Sequence, residues 1–369
     1  MEIIFLNPSA HFARFKKRAE AVARLGVKIK VLAFERESYP GRKWTLPFYS
    51  IGRIQHGNYL IRMIHLFKAF KIINKHSRKA THIYAFGLDM AIMGFIVTLV
   101  NSNNQKLVYE IGDIREIFLG NTVISKLLRQ ADKFVASHSF LMVVTSNFFI
   151  SCYYKNRLGI QNLRFIEIEN KLDEKQFSHK PASLINNKNH KKIRLGYFGV
   201  IRCKQSWELL KDIAKHYHHI HIVVYGVPVH INMFHSDIEN IKNIHYYGPY
   251  VYPDDLTKIY NNVDIVWELG IHGKDNLKCA KRCRYYESLY FQRPMIAQRD
   301  TPGGDCIEKY DIGLCVDLNN PDETRKTIAQ ISFDDLNRWR QNMKKLPKHL
   351  STYTNEHQIL IEMLKSEKI

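Results

Sequence analysis

At 369 residues the chain is long enough for two domains, each burying its own core, and its 45% apolar and 12% aromatic content excludes a disordered polymer. A net charge of +20, from 55 Lys and Arg against 35 Asp and Glu, implies an anionic partner. Nucleic acid, a phosphorylated substrate and an anionic membrane surface all satisfy that charge. No apolar run approaches the ~20 residues of a bilayer span, and MEIIFLNP enters a strand with no basic n-region ahead of an apolar h-region, so a signal peptide is not read.

The first half alternates apolar strands with helical periods. Strands are predicted at Glu2–Asn7, Val27–Phe34, His82–Phe86, Leu107–Ile111, Met142–Thr145 and Phe165–Ile168. Helices are predicted at His11–Leu25, Tyr59–Lys75, Leu88–Val100, Val123–Gln130 and Asn147–Arg157. The polar stretch Ser178–Lys192 reads as a linker. Strands resume at Ile193–Phe198, Ile220–Tyr225, Ile244–Tyr247, Ile265–Glu268, Met295–Ala297 and Leu314–Val316. Helices lie at Trp207–Tyr217, Asp254–Asn261, Lys281–Phe291 and Glu323–Ile331, and the tail Asp334–Lys368 forms one or two more.

The pattern is an α/β chain of two doubly wound, Rossmann-like halves: residues 1–177, a linker at 178–192, residues 193–350, and a last helix in 351–369. Ligands of such sheets sit at the carboxyl ends of the strands. No Gly-x-Gly-x-x-Gly follows the first strand, which disfavours a nicotinamide or flavin enzyme, and no P-loop, HExxH or Gly-x-Ser-x-Gly is present. The six cysteines (Cys152, Cys203, Cys279, Cys283, Cys306, Cys315) are scattered, which fits a reduced, cytoplasmic setting. Cys279 and Cys283 have no second Cys/His pair at zinc spacing, so no metal is assigned.

The segment NLKCAKRCRYYESLYFQRP, Asn276–Pro294, carries the sharpest chemical pattern. It sets Arg284, Tyr286 and Glu287 at a loop-to-helix junction, where free backbone N–H groups and a positive dipole end favour a phosphate. Glu287 is placed to accept hydrogen bonds from sugar hydroxyls; the competing reading is a helix cap with a solvated salt bridge. GYFGVIRCK ends a strand at Gly199 and puts Arg202 and Lys204 before a helix, on the same sheet edge. Between these, Gly248 ends a strand, and Tyr250 and Tyr252 are candidates to stack on a base. In the first half, KLVYEIGDIREIF brings Glu110, Asp113, Arg115 and Glu116 to a strand's carboxyl end. Asp113 is the candidate general base, oriented by Arg115. His11, after the first strand with Arg14, Lys17 and Arg18, is a second acid/base or phosphate-binding candidate. Tyr59–Lys75 puts Leu60, Met63, Ile64 and Phe67 on an apolar face and Arg62, His65, Lys68, Lys71 and Lys75 on a basic stripe, suited either to anionic lipid or to a packed helix with a solvated face.

Together these stretches resemble the GT-B glycosyltransferases, specifically the bacterial group 1 (retaining, family 4-like) enzymes of capsule, lipopolysaccharide and exopolysaccharide assembly. The resemblance spans nearly the whole chain. It rests on the opening strand–helix–strand NPSAHFARFKKRAEAVARLGVKIKVLAFER, on LVYEIGDIRE, on GYFGVIR, on NIHYYGPYVYPDDLTKIYNNVDIVW and on CRYYESLYFQRPMIA. It implies two Rossmann-like domains facing each other across a cleft. The N-terminal domain would take a saccharide acceptor, free or lipid-linked, at the cytoplasmic face of a membrane, and the C-terminal domain a nucleotide-diphospho-sugar such as a UDP- or GDP-sugar. No cofactor beyond that co-substrate is implied. Donor contacts map to Arg284 and Glu287, with Arg202 on the phosphates and Lys204 beside it. The motif Glu-x7-Glu is broken, because Cys279 stands where its first Glu belongs. A metal-independent, retaining hexosyl transfer is the implied reaction. A GT-B-fold sugar-nucleotide epimerase and a basic nucleic-acid binder stay open as alternatives.

Overall fold

The computed structural model describes residues 1–35, 43–53, 59–101, 104–177, 192–270 and 280–366, without the side chains of 59–67. The predicted linker residues 178–191, and Asn276 and Cys279, lie outside the described residues. Contacts divide the chain into two compact units, Met1–Glu169 with Thr354–Ile369, and Asn170–Tyr353.

The first unit holds seven parallel strands: β1 (Glu2–Asn7), β2 (Lys28–Glu35), β3 (Phe48–Arg53), β4 (His82–Phe86), β5 (Lys106–Ile111), β6 (Leu141–Val144) and β7 (Phe165–Glu167). Their order is β3-β2-β1-β4-β5-β6-β7. β1 keeps the predicted bounds because Ile3, Ile4, Phe5 and Leu6 are wholly buried, the continuous apolar run of a parallel strand covered on both faces. β3 was not predicted. Its sequence, FYSIGR, exposes Ser50 and Arg53 and buries only Ile51, as an edge strand can. Helix Val123–His138 runs eight residues past its predicted end, and Asn147–Arg157 is a π-helical segment over Phe149–Arg157.

The C-terminal helix, Glu356–Lys365, belongs to this first unit and packs against Ala13–Ala23. Arg164 donates to the Met363 carbonyl at 2.8 Å, and His82 Nε2 meets the Leu364 carbonyl at 3.0 Å. Arg18 donates to His357 Nε2 at 3.2 Å; a guanidinium cannot accept, so the imidazole is the acceptor and neutral. Burial, with Arg18 and Lys17 beside it, pushes His357 down to about 2, and burial lowers His82 to about 4. Unfolded histidine titrates near ~6.5, so below that pH the unfolded chain binds protons that the folded one refuses, and stability falls with acidification. Asp132, raised to about 6 by burial, acts oppositely: between about pH 6 and 4 the folded state holds its proton more tightly. His357→Gln is therefore expected to flatten the fall of melting temperature as pH drops below ~6.5, measured by calorimetry.

The second unit holds six parallel strands: β8 (Ile193–Ile201), β9 (Ile220–Pro228), β10 (Ile244–Tyr246), β11 (Ile265–Trp267), β12 (Met295–Gln298) and β13 (Gly313–Val316). Their order is β10-β9-β8-β11-β12-β13, so the sheet reverses direction between β8 and β11. That reversal is a topological switch point, where a crevice opens at the strand carboxyl ends. One core cluster joins Trp207, Trp267, Leu210 and Trp339; another joins Phe198, Tyr260, Tyr286 and Phe291. Two helices were not predicted. Phe234–Asn240 has no side-chain cap. Pro302–Tyr310 hides behind Pro302-Gly303-Gly304, yet Thr301 Oγ1 accepts from Gly304 N–H and proline suits the first helical turn.

Candidate functional site

The carboxyl ends of β8 and β11 in the second unit gather most of the predicted donor residues. β8 runs through Gly199 (φ +97°) to Ile201, past its predicted end at Phe198, and Arg202 and Lys204 follow, both exposed. Lys204 opens helix Lys204–His216, whose N-cap is Cys203. Gly226 (φ +138°) on β9 presses on Gly199: a Cβ there would stand 1.8 Å from the Gly199 carbonyl oxygen. Its N–H donates to the Gly248 carbonyl at 2.8 Å. Gly226→Ala is expected to cost on the order of 1–3 kcal/mol in backbone strain alone, read as a lower midpoint in urea.

The loop after β11 is held from the opposite side. Arg282, the N-cap residue of helix Cys283–Tyr290, donates to the Glu268 carbonyl at 3.1 Å and to the Gly270 carbonyl. A Cβ at position 270 would lie 2.6 Å from Arg282 Nη1, so a larger residue there would push this guanidinium aside. Burial pulls Arg282 below the usual guanidinium range, with Glu268 opposing the shift. Burial pushes the Glu268 carboxyl up, against the pull of Arg282 and Arg284.

The clamp fixes the next cation. Arg284 lies over the Tyr197 ring, its Cζ 5.2 Å from the centroid, and its Nη1 is buried with no hydrogen-bond acceptor among the described residues. A buried, unsatisfied, charged donor is costly unless an acceptor arrives. Glu287 is also buried; its Oε2 accepts from Tyr260 Oη at 2.8 Å. Tyr250 is half-buried against the second core cluster, with its hydroxyl 3.9 Å from where a Cβ of Gly199 would be. Burial, with Glu287 nearby, raises the Tyr250 hydroxyl well above its ordinary range. At this edge Arg202, Lys204, Arg282 and Arg284 outnumber the carboxylates Glu268 and Glu287, so the site favours an anion.

Several predicted residues need correction or stand elsewhere. Tyr286 was expected to face a ligand, but its side chain is 1% exposed and packs in the core, because helix Cys283–Tyr290 buries every residue from Tyr285 to Leu289. Glu110 was expected at an open rim. It is instead fully buried, accepting from Tyr84 Oη at 2.5 Å and from Arg18 Nη2 at 3.2 Å. His11 and Asp113 sit at the carboxyl ends of β1 and β5 in the first unit. Asp113 is exposed and forms no pair with Arg115, so the orienting contact is not made. Among the described residues, no three His, Cys, Asp or Glu groups gather as metal ligands.

The sequence pattern did not single out Glu268, Arg282 or Tyr197. Arg282 acts on backbone carbonyls 14 and 12 residues earlier in the chain, a contact that only the folded loop creates.

A comparison with protein-family models finds no match. Among solved structures, Anabaena HepE in complex with UDP and glucose is similar over 100% of both chains, with a TM-score of 0.72 and 13% identity. Sucrose-phosphate synthase from Thermosynechococcus elongatus is similar over 98% of both chains, with a TM-score of 0.70 and 12% identity. The fold is GT-B. Within that GT-B frame the six-stranded unit, with its switch point between β8 and β11, carries the basic edge. A curated relative, succinoglycan biosynthesis protein ExoL of Rhizobium meliloti (strain 1021), is 22% identical over 333 residues, which cover 86% of this chain and 81% of the relative.

Proposed function

We propose that this chain is a glycosyltransferase of polysaccharide biosynthesis, moving a sugar from a nucleotide-diphospho-sugar to a saccharide acceptor. The observation that carries the proposal is Arg284: a guanidinium at a helix start, with a buried N–H that meets no acceptor among the described residues. The diphosphate supplies that acceptor. Arg202 and Lys204, across from Arg284 on the same sheet edge, add charge against the departing nucleotide, so the leaving group is stabilised electrostatically. Glu287 and Tyr250 stand beside the sugar or ribose. The HepE structure holds UDP and glucose, which supports a nucleotide-sugar donor, and the name of the Rhizobium relative supports a polysaccharide product.

The seven-stranded unit takes the acceptor in this reading. Asp113, exposed at the end of β5, is the proposed base for an acceptor hydroxyl, with His11 as the second candidate. A lipid-linked acceptor and a retaining outcome belong to the same proposal; direct displacement with Asp113 as base would invert the anomeric centre, so NMR of the anomeric proton in the product tests the two together. The reaction itself is tested by release of free UDP or GDP from a nucleotide-sugar, with and without oligosaccharides and membrane lipid extract. Release that needs the acceptor is expected. Conversion of the nucleotide-sugar without any acceptor would contradict transfer and favour epimerisation.

A further inference from the structure

Glu268 directly follows β11, at the switch point of the six-stranded sheet. Its backbone is pinned on both sides. The N–H donates to the Ile296 carbonyl at 2.9 Å, and the carbonyl accepts from Arg282 Nη1 at 3.1 Å. Strand alternation turns its side chain to the face of Val266, where the core also holds Tyr285, Tyr286 and Leu289 of helix Cys283–Tyr290. The aim of the carboxylate is therefore set before any ligand arrives.

The residue is 5% exposed, yet no donor among the described residues hydrogen-bonds its carboxylate. Burial disfavours the charge, and the fields of Arg282 and Arg284 offset part of that cost. Glu287 differs, because its Oε2 already accepts from Tyr260 Oη. Gly303 leaves the Glu268 carboxylate uncovered: a Cβ at that position would already touch Oε2, at 3.8 Å. A buried polar group without partners is costly, and a ligand that supplies them recovers the cost. Glu268 and Arg284 have opposite wants. Arg284 Nη1 lacks an acceptor, and the Glu268 carboxylate lacks donors. A phosphate joined to a group rich in hydroxyls meets both.

We propose that Glu268 reads the donor sugar: its carboxylate accepts hydrogen bonds from sugar hydroxyls while the diphosphate meets Arg284, and so selects neutral hexoses over uronic acids. The inference rests on the nucleotide-sugar reading of this edge and narrows the class of donor. Hydroxyls give charge-assisted hydrogen bonds to a carboxylate. A uronic acid would bring a second carboxylate into the same crevice, where like charges oppose each other and Glu268 stays unsatisfied.

The test is calorimetric titration of the full chain with UDP-glucose, UDP-galactose and GDP-mannose, with UDP-glucuronic and GDP-mannuronic acids, and with UDP and GDP alone. The parent is expected to bind at least one hexose nucleotide about tenfold or more tighter than its uronic counterpart. Glu268→Gln keeps the size and removes the charge. It is expected to bind that hexose nucleotide about tenfold more weakly, to hold the nucleoside diphosphate within about twofold of the parent, and to narrow the gap to the uronic acid. Unchanged binding of the nucleoside diphosphate shows that the variant is folded, and the parent's own preference needs no variant at all. Three results would overturn the inference: a parent that takes the uronic acid as tightly as the hexose, a variant that binds the hexose nucleotide like the parent, or a variant that loses the nucleoside diphosphate equally, which would make Glu268 a structural support. A parent that binds no nucleotide-sugar overturns the nucleotide-sugar reading as well, whereas sugar binding indifferent to Glu268 overturns this inference alone.

Discussion

Arg284→Ala is expected to weaken binding of UDP- or GDP-sugars between about tenfold and a hundredfold. A hydrogen bond to a charged group contributes roughly 1.5–3 kcal/mol, and each ~1.4 kcal/mol is a factor of ten. The guanidinium has its neighbours already set: Tyr197 beneath it, Arg282 clamped next to it, and an Nη1 with no acceptor among the described residues. Little is lost from the free protein when it goes, so its melting temperature should stay near the parent's. Arg284→Lys should recover only part of the affinity, because an ammonium gives a point charge without the planar fork. Calorimetric titration checks both variants.

Glu110→Ala is expected to destabilise the first unit by about 3–5 kcal/mol, the cost of leaving one buried charge without its partner. Arg18 is 1% exposed and donates to Glu110, to His357 and to the Ile168 carbonyl at 3.3 Å. Removing Glu110 takes away a carboxylate that the Arg18 guanidinium contacts at 3.2 Å. The loss is large against the roughly 5–15 kcal/mol total of a typical domain. The double variant Arg18→Met/Glu110→Leu should be more stable than Glu110→Ala, because removing both charges removes the desolvation penalty. Urea midpoints of the two variants test the ordering. The same network ties β1's following helix to the C-terminal helix through His357, so the single variant should also free Glu356–Lys365, read as faster amide exchange there.

Elements whose identity depends on local composition were legible in the sequence. β1, apolar from Ile3 to Leu6, and the long amphipathic helices stand at or near their predicted places. What failed was set by neighbours: β3 is half polar because it is an edge, and Pro302–Tyr310 reads as a turn until Thr301 caps it. The site divides the same way. A strand followed by glycine, cations and a helix is a local pattern, so Gly199, Arg202, Lys204 and the Arg284 junction could be placed on one sheet edge from the sequence. Periodicity could not assign Tyr286, since its helix is covered on almost every side. Nor could it find Arg282 or Glu268, whose roles come from a loop folding back on its own carbonyls. Glu110 looked like a rim carboxylate because its partner, Arg18, is 92 residues away in the chain.

The reading of the basic edge as a nucleotide-sugar site stands or falls on one comparison: thermal shifts of the parent and of Arg284→Ala across a panel of UDP- and GDP-sugars. A ligand that binds only the folded state stabilises it by about 2.7 kcal/mol at a hundred times its dissociation constant. The expected result is a clear rise in melting temperature for the parent with at least one nucleotide-sugar, and a much smaller rise for Arg284→Ala at the same concentration. No rise with any nucleotide-sugar, or an equal rise in both proteins, would contradict it.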